Sequence, residues 1–415
     1  MHCTTFHAVI AGYRGAKRAM YALAAQELEL YGLQSRDVRI TAFVKVERMT
    51  SAGKYPRMIQ FRSPKFNLML AKYLKVFEHW LYNECQHEGA RFVTKGLNIQ
   101  QRAELLKDAS ESFTRPSFML LDHSKFDSTV TVEHLRLIHR VYMRAFKSAE
   151  LARLLRCQIN NKCRTMGGIR YNVKGTRMSG DFDTALGNTL LNYIVIKDVM
   201  EKSGVKFRLL VDGDDSVVVL ERSDVEKVQL NIFAEWGFET KCAVVHEIHK
   251  VEYCQHWYVD APVPFFSRHP AKVISSYAMT LINYMGRGFE KHFRGCMMGE
   301  AHISKGVPII GPLCEEQAHG PYILDPDSRY RLTRPKVSVD TEASRMAFCE
   351  TFGISPDQQE EYERIPLTLI ASHYNGRNNR AHADPHSDPR GVTSELAFHR
   401  GYSLKRWLGE VLEGA

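Results

Sequence analysis

Between Phe207 and Leu220 the chain reads as two short apolar runs separated by Asp212-Gly213-Asp214-Asp215. The runs, Phe207 to Val211 and Ser216 to Leu220, have strand character, and Asp-Gly is a favoured two-residue reversal. The pattern predicts a β-hairpin with carboxylates crowded at its tip. Adjacent aspartates on a rigid tip repel one another unless a divalent cation holds them together. Gly-Asp-Asp alone is a weak signal, so its weight depends on what precedes it.

Bulk properties narrow the setting. At 415 residues, 44% hydrophobic, 10% aromatic and 25% charged, the chain has ordinary globular composition. It is long enough for one large core or several packed lobes. The net charge of +9 is concentrated at one end: residues 1–75 hold 13 Lys and Arg against 4 acids, and the remaining 340 residues carry 43 of each sign. A basic end on a neutral body suits a polyanion such as nucleic acid or a triphosphate; a solvated basic surface looks the same by charge alone. The nine cysteines occur singly, without a C-x-x-C pair. That fits buried thiols in a reducing compartment and speaks against a disulfide framework or a Cys-rich zinc site. Without a run of 18 apolar residues or a signal-peptide core, the expectation is a chain with no membrane segment of its own.

Helical periodicity is expected over residues 16–31, 68–87 and 131–157, and from Ser179-Gly180 to about Lys202. Ser117 to Leu121 reads as a short buried strand that delivers Asp122 at its end. After the hairpin, Ser223-Asp224-Val225-Glu226 has the form of a capping box, predicting a helix closed by Gly237 and then a strand from Cys242 to Val245. Beyond Pro270 the pattern is mainly helical and ends in an amphipathic helix over 393–412. The polar stretch Ser372 to Gly391 reads as a loop; its His373, His382 and His386 lack cysteine partners for zinc.

Three further groups of residues join the hairpin. Asp122 and Asp127 form D-x₄-D at the end of the apolar strand. With the hairpin acids they make a cluster able to hold two Mg²⁺ or Mn²⁺ ions, since oxygen-only donors favour hard cations. Taken alone, the same two residues read as turn and cap positions. Next, Ser179-Gly180 precedes Thr184, Asn188 and Asn192, which recur at spacing four and line one polar face of an otherwise apolar helix. A polar stripe on a helix suited to burial needs partners, and a ribose with two hydroxyls supplies them. Finally, Lys45-Val46-Glu47, Pro56-Arg57-Met58-Ile59 and Arg62-Ser63-Pro64 with Asn67 place several cations on a proline-interrupted segment suited to a triphosphate.

Taken in order, these blocks resemble motifs F, A, B and C of a viral RNA-dependent RNA polymerase. The basic block, together with the later Glu252-Tyr253-Cys254-Gln255, is similar to the tombusvirus-like branch of positive-strand RNA viruses. The resemblance runs from Lys45 to Gln255. It implies an α+β right-hand fold with an antiparallel-sheet palm and a mainly helical thumb. Residues 1–115 and 131–178 would form fingers, 116–130 and 179–262 palm, and 263–415 thumb. It implies RNA-templated RNA synthesis from NTPs, replicating a viral genome. Asp122 and Asp214 would bind the catalytic metals with Asp215 in support. Asp127 and Asn188, helped by Ser179 and Thr184, would read the ribose 2′-hydroxyl. Lys45, Arg57 and Arg62 would guide the triphosphate, and Lys241 would protonate pyrophosphate, although it reads equally as a solvated lysine. Cys254 and Gln255 would touch the primer strand and are as readily structural. Only 44 residues precede the basic block, short for this family. Expected partners are RNA template and product, NTPs and other viral replication proteins. The expected location is the host cytoplasm, in membrane-associated complexes reached through other segments or proteins.

A reverse transcriptase would carry Tyr-x-Asp-Asp at the hairpin and a bulky residue at position 127, and neither is present. A dead-palm RNA scaffold predicts loss of a metal acid, yet Asp122, Asp214 and Asp215 are all there. A metal-dependent nuclease has no use for the Ser-Gly helix or the Lys-Arg block.

Overall fold

The computed structural model describes residues 1–45, 55–274, 280, 282, 284 and 288–364. Glu47, the stretch 372–391 and the helix expected over 393–412 lie outside the described residues. The chain divides into two compact units, one of residues 1–95 and 109–244, the other of residues 96–108 and 245 onward. Helices and mostly antiparallel sheets alternate through it. Among the described residues no helix is long and apolar enough to cross a membrane.

The first unit is organised around a four-stranded antiparallel sheet ordered Thr240–Val245, Pro116–His123, Asp215–Glu221, Phe207–Asp212. Its register places Met119 opposite Val218, and Val218 opposite Leu209. These residues share a buried core with Leu186, Leu190, Leu191, Val195 and Val199 of the long helix Thr184–Lys202. Side chains alternate across a strand, so Phe118 and Leu120 fall on the other face, and Asp122 follows them there. Val217 and Val219 likewise carry Asp215 to that second face. Both layers being apolar, the three strands from Pro116, Asp215 and Phe207 are buried front and back, while their acidic end and the outer strand Thr240–Val245 reach solvent.

A second sheet of the same unit runs Met58–Phe61, Ile40–Val44, Asn160–Thr165, Arg170–Lys174. One of its pairings, Ile40–Val44 with Asn160–Thr165, is parallel. The N-terminal helices Phe6–Ala11 and Gly15–Tyr31 share the core with Pro64–Asn83.

Two expected helices are interrupted. The 131–157 stretch forms Val132–Ala145 and Ala149–Arg156, because the Ser148 hydroxyl accepts from the Leu151 N–H and starts a new helix. The box at Ser223 does not form. Glu221 is the cap there, a 3₁₀ turn covers Arg222–Lys227, and the α-helix Asn231–Glu235 follows separately. The Gln229 N–H is drawn instead to the Ser203 hydroxyl at 3.0 Å. A third boundary also moves: the helix expected from Ser179 begins at Thr184, with Asp183 as its cap.

His139 is buried in this unit, its Nε2 3.1 Å from the Gln158 side-chain oxygen. Burial lowers its pKa to about 4, with Asp183 opposing and Arg177 assisting. A depressed histidine keeps the folded form neutral while the unfolded chain takes up a proton. Stability should therefore fall as pH drops from about 6.5 toward 4. Urea melts at pH 7 and 4.5 check this: His139→Gln should lose less stability across that window than the parent.

The second unit opens with a small antiparallel sheet, Glu252–Tyr253, His256–Val259 and Phe265–Ser267. Helices Gly288–Ile303, Ile310–Gln317, Pro326–Arg331, Thr341–Phe352 and Pro356–Glu363 follow. Their core includes Phe265, Phe293, Met297, Leu313 and Phe348. Within it the Glu300 carboxylate is fully buried. Burial would raise its pKa, but Arg268 and Arg331 hold it at about 2. The turn between the first two strands has Cys254 at φ 52° and Gln255 at φ 62°, left-handed positions normally filled by Gly or Asn.

Candidate active site

The hairpin Phe207–Glu221 turns through Gly213 and Asp214, with Asp212 paired to Asp215 and Gly213 at φ 72°. Its tip is gripped by the long helix through backbone atoms. The Thr189 hydroxyl accepts from the Gly213 N–H at 2.9 Å. The Asn192 amide donates to the carbonyls of Gly213 (3.2 Å) and Asp214 (3.0 Å). Those bonds turn the Asn192 oxygen toward His123 Nε2, 3.1 Å away, and His123 Nδ1 lies 2.8 Å from the Thr240 hydroxyl. Burial lowers the His123 pKa, while the Asn192 bond and then Asp214 and Asp122 pull it upward. A single histidine next to Asp122 thus ties the central strand to the helix and the outer strand. Thr189 and His123 escaped the sequence reading; Thr189 lies three positions before Asn192, a spacing that puts both on one helix face.

Asp122 stands one step past the Leu121–Ser216 rung, opposite Asp215, and Asp122, Asp214 and Asp215 are all exposed. Three carboxylates at one sheet end offer hard oxygen donors to a divalent cation, and the chemistry of the set fits Mg²⁺ or Mn²⁺.

Beside them runs a relay of polar side chains. The Asn188 amide donates to Asp127 Oδ1 at 2.7 Å, and the Asn188 oxygen accepts from Arg177 Nε at 3.2 Å. Arg177 in turn pairs with the fully buried Asp183 at 3.1 Å, and Gln158 donates to the same carboxylate at 2.8 Å. Asn188 is thereby fixed in its amide orientation, with its N–H₂ toward Asp127. The Asp127 carboxyl is pushed up by burial; the Asn188 bond opposes this, Asp214 adds to it, and Arg177 opposes it. Gly187 makes room for the relay: a Cβ there would lie 2.3 Å from the Arg177 guanidinium. Arg177 was not among the expected site residues, because a lone arginine before Ser179 carries no pattern of its own.

The remaining expected residues take varied positions. Ser179 Oγ accepts from the Gln60 N–H at 3.1 Å, and the Thr184 hydroxyl donates to the carbonyls of Met178 and Asp181. Both hydroxyls shape the loop before the helix. Lys45 and Arg57 meet across the β-pair, the Lys45 N–H donating to the Arg57 carbonyl at 2.8 Å, with Arg57 exposed. Lys241 is exposed on the outer strand beside the Asp122 strand. Arg62 requires a correction. Expected to meet a triphosphate, it is 1% exposed. Its guanidinium is spent on Asp181, Asn161 and the carbonyls of Cys157 and Val38, which leaves nothing to offer a ligand.

A sequence model described as viral RNA-dependent RNA polymerase matches residues 2–369. This chain belongs to that family. Among its relatives is an RNA-directed RNA polymerase of Groundnut rosette virus (strain MC1), 35% identical over 400 residues, covering 89% of this chain and 46% of the relative. Those of Carnation mottle virus and Turnip crinkle virus are each 30% identical, over 377 and 379 residues. These alignments cover 84% and 85% of this chain and 48% of each relative. The chain therefore spans about half the length of the curated relatives it matches. The polymerase family match includes every expected site residue, from Lys45 to Lys241.

Proposed function

We propose that this chain performs RNA-templated RNA synthesis: a 3′-hydroxyl attacks the α-phosphate of an NTP and pyrophosphate leaves, copying a positive-strand viral genome. The observation that carries this reading is the relay Asp127–Asn188–Arg177–Asp183 beside the exposed acids. A nuclease or a scaffold would have no use for a preset carboxylate–amide pair next to its acids. In this reading Asp127 and Asn188 meet the ribose 2′-hydroxyl, and Ser179 and Thr184 hold the loop that positions them. Asp122 and Asp214, with Asp215 in support, would hold two Mg²⁺ or Mn²⁺ ions. Bound there, the ions would supply charge neutralisation at the phosphate and acidify the attacking hydroxyl. Lys45 and Arg57 would steer the triphosphate, and Lys241 would give a proton to pyrophosphate.

The acid-bearing sheet and the long helix would act as palm, the sheet of Ile40–Val44 as part of the fingers, and the helices after residue 263 as thumb. RNA and NTPs would be the partners, with other viral replication proteins carrying the chain to membranes in the host cytoplasm. The test is labelled-NTP incorporation on a heteropolymeric RNA, run with NTP and dNTP in parallel. Asp127→Ala and Asn188→Ala should each narrow the NTP/dNTP preference by about 10-fold or more, the scale of one lost hydrogen bond to a charged group. Template-dependent product with unchanged selectivity would remove the ribose role from these two residues.

A further inference from the structure

The second unit contains a group of three different donor atoms. On the helix Gly288–Ile303, His292 and Cys296 are four residues apart and leave the same face. His292 Nε2 lies 3.6 Å from Cys296 Sγ, and Cys296 Sγ lies 4.0 Å from Asp325 Oδ2. Each pair of ligand atoms in the trio is within 4.8 Å. A tetrahedral zinc with Zn–S of about 2.3 Å and Zn–N of about 2.05 Å holds those two atoms roughly 3.6 Å apart.

The approach is built into the backbone. Gly295 lies so close to the following segment that a Cβ would fall 2.0 Å from the Ile323 carbonyl oxygen. The Ile323 N–H donates to the Lys291 carbonyl at 2.8 Å, pinning the segment against the helix just before Asp325. Asp325 divides its oxygens: Oδ1 accepts from the Ser328 N–H at 2.7 Å and caps the Pro326–Arg331 helix, which leaves Oδ2 on the cysteine side. His292 is buried and stacked on Tyr284, ring centroids 4.7 Å apart and planes at 15°, so the imidazole is held in one orientation.

We propose that His292, Cys296 and Asp325 form a zinc site that clasps this helix to the segment carrying Asp325. A mixed nitrogen, sulfur and oxygen set selects zinc over Mg²⁺ or Mn²⁺, which favour oxygen alone. On binding, the Cys296 thiol gives up its proton to solvent and the thiolate joins the ion. Three protein ligands leave the fourth position to water. The cysteine is single and its partners sit 4 and 29 residues away, which is why no zinc pattern showed in the chain.

The test is titration of chelator-stripped, reduced full chain with ZnCl₂, and separately with CoCl₂. One thiolate-bound ion per chain is expected, read with cobalt as a thiolate-to-metal absorption band that the carboxylate cluster cannot give. Cys296→Ser should abolish the band and weaken zinc binding by about 100-fold or more, beyond the 10–100-fold that losing an outer-shell partner costs. Asp325→Asn keeps a good helix cap, so it tests ligation without removing the cap, and should weaken zinc by a similar factor. Cys349→Ser, outside the trio, should leave the titration unchanged. If cobalt gives no thiolate band, or if folded Cys296→Ser and Asp325→Asn bind zinc as the parent does, the trio is a hydrogen-bonded contact and the proposal fails.

Discussion

Asp214→Ala should reduce nucleotide incorporation by about 1,000-fold or more while RNA affinity stays within a few-fold and the fold is kept. The size follows from the position: under the proposed function this carboxylate holds a catalytic ion, and removing electrostatic stabilisation at the reacting phosphate costs rate at this scale. The intact fold follows from how the hairpin is held. Thr189 and Asn192 grip the N–H of Gly213 and the carbonyls of Gly213 and Asp214, all of which survive the substitution. The Asp214 side chain is exposed and contributes nothing to the core. RNA affinity should persist because phosphate contacts by Lys and Arg dominate it and respond to salt rather than to one acid. Filter binding, melting and incorporation on the same preparation check all three. Loss of RNA binding in step with activity would make Asp214 a structural residue; retained synthesis would end the metal-ligand role.

Arg62→Met should destabilise the first unit by about 3–5 kcal/mol, the penalty for leaving a buried charge without its partner. Arg62 is enclosed, and its loss strands Asp181, with Gln158 as a weak remaining donor at 3.3 Å. The pH dependence has a definite sign. Burial already raises the Asp181 pKa to about 6 against the pull of Arg62. Without Arg62 it rises further, so the folded mutant holds a proton that the unfolded chain has released above about pH 4. The mutant should therefore lose stability as pH climbs from about 4 through neutrality, and the gap from the parent should be wider at pH 8 than at pH 5. Urea melts at those two values measure this. A triphosphate-gripping Arg62 predicts something else: a normal melt with a raised KM for NTP. Arg62→Met combined with Asp181→Leu should recover part of the loss, since removing both partners of a buried pair is far cheaper than removing one.

What could be read along the chain was what repeats or turns locally. The hairpin showed because apolar runs flank an Asp-Gly reversal, and the long helix because Leu186, Leu190 and Ile194 keep its period. Asn192 belonged to the visible stripe, and its grip on the hairpin tip explains why a polar residue sits at a fully buried position. Arg62 misled for a physical reason: exposed and buried arginines look the same in a basic segment, and the partners that bury this one lie 24 to 119 residues away. Arg177 and His123 were silent for the same reason, since their importance comes from contacts made only after folding. The split helices failed because the Ser148 hydroxyl starts a new helix locally and the Ser203 hydroxyl takes the N–H of Gln229, 26 residues further on, contacts that periodicity does not register.

The backbone grip on the hairpin tip has a consequence for mixtures of active and inactive copies. Since the bonds of that grip are made by backbone atoms of Gly213 and Asp214, a copy inactivated at position 214 should stay folded and, under the proposed function, keep its hold on RNA. Such a copy would act as a competitor, lowering the output of intact neighbours in proportion to its abundance. A copy broken at Arg62 is lost to unfolding and leaves the intact molecules undisturbed. Two lesions with the same null activity would then behave oppositely in a shared compartment, one dominant and one recessive.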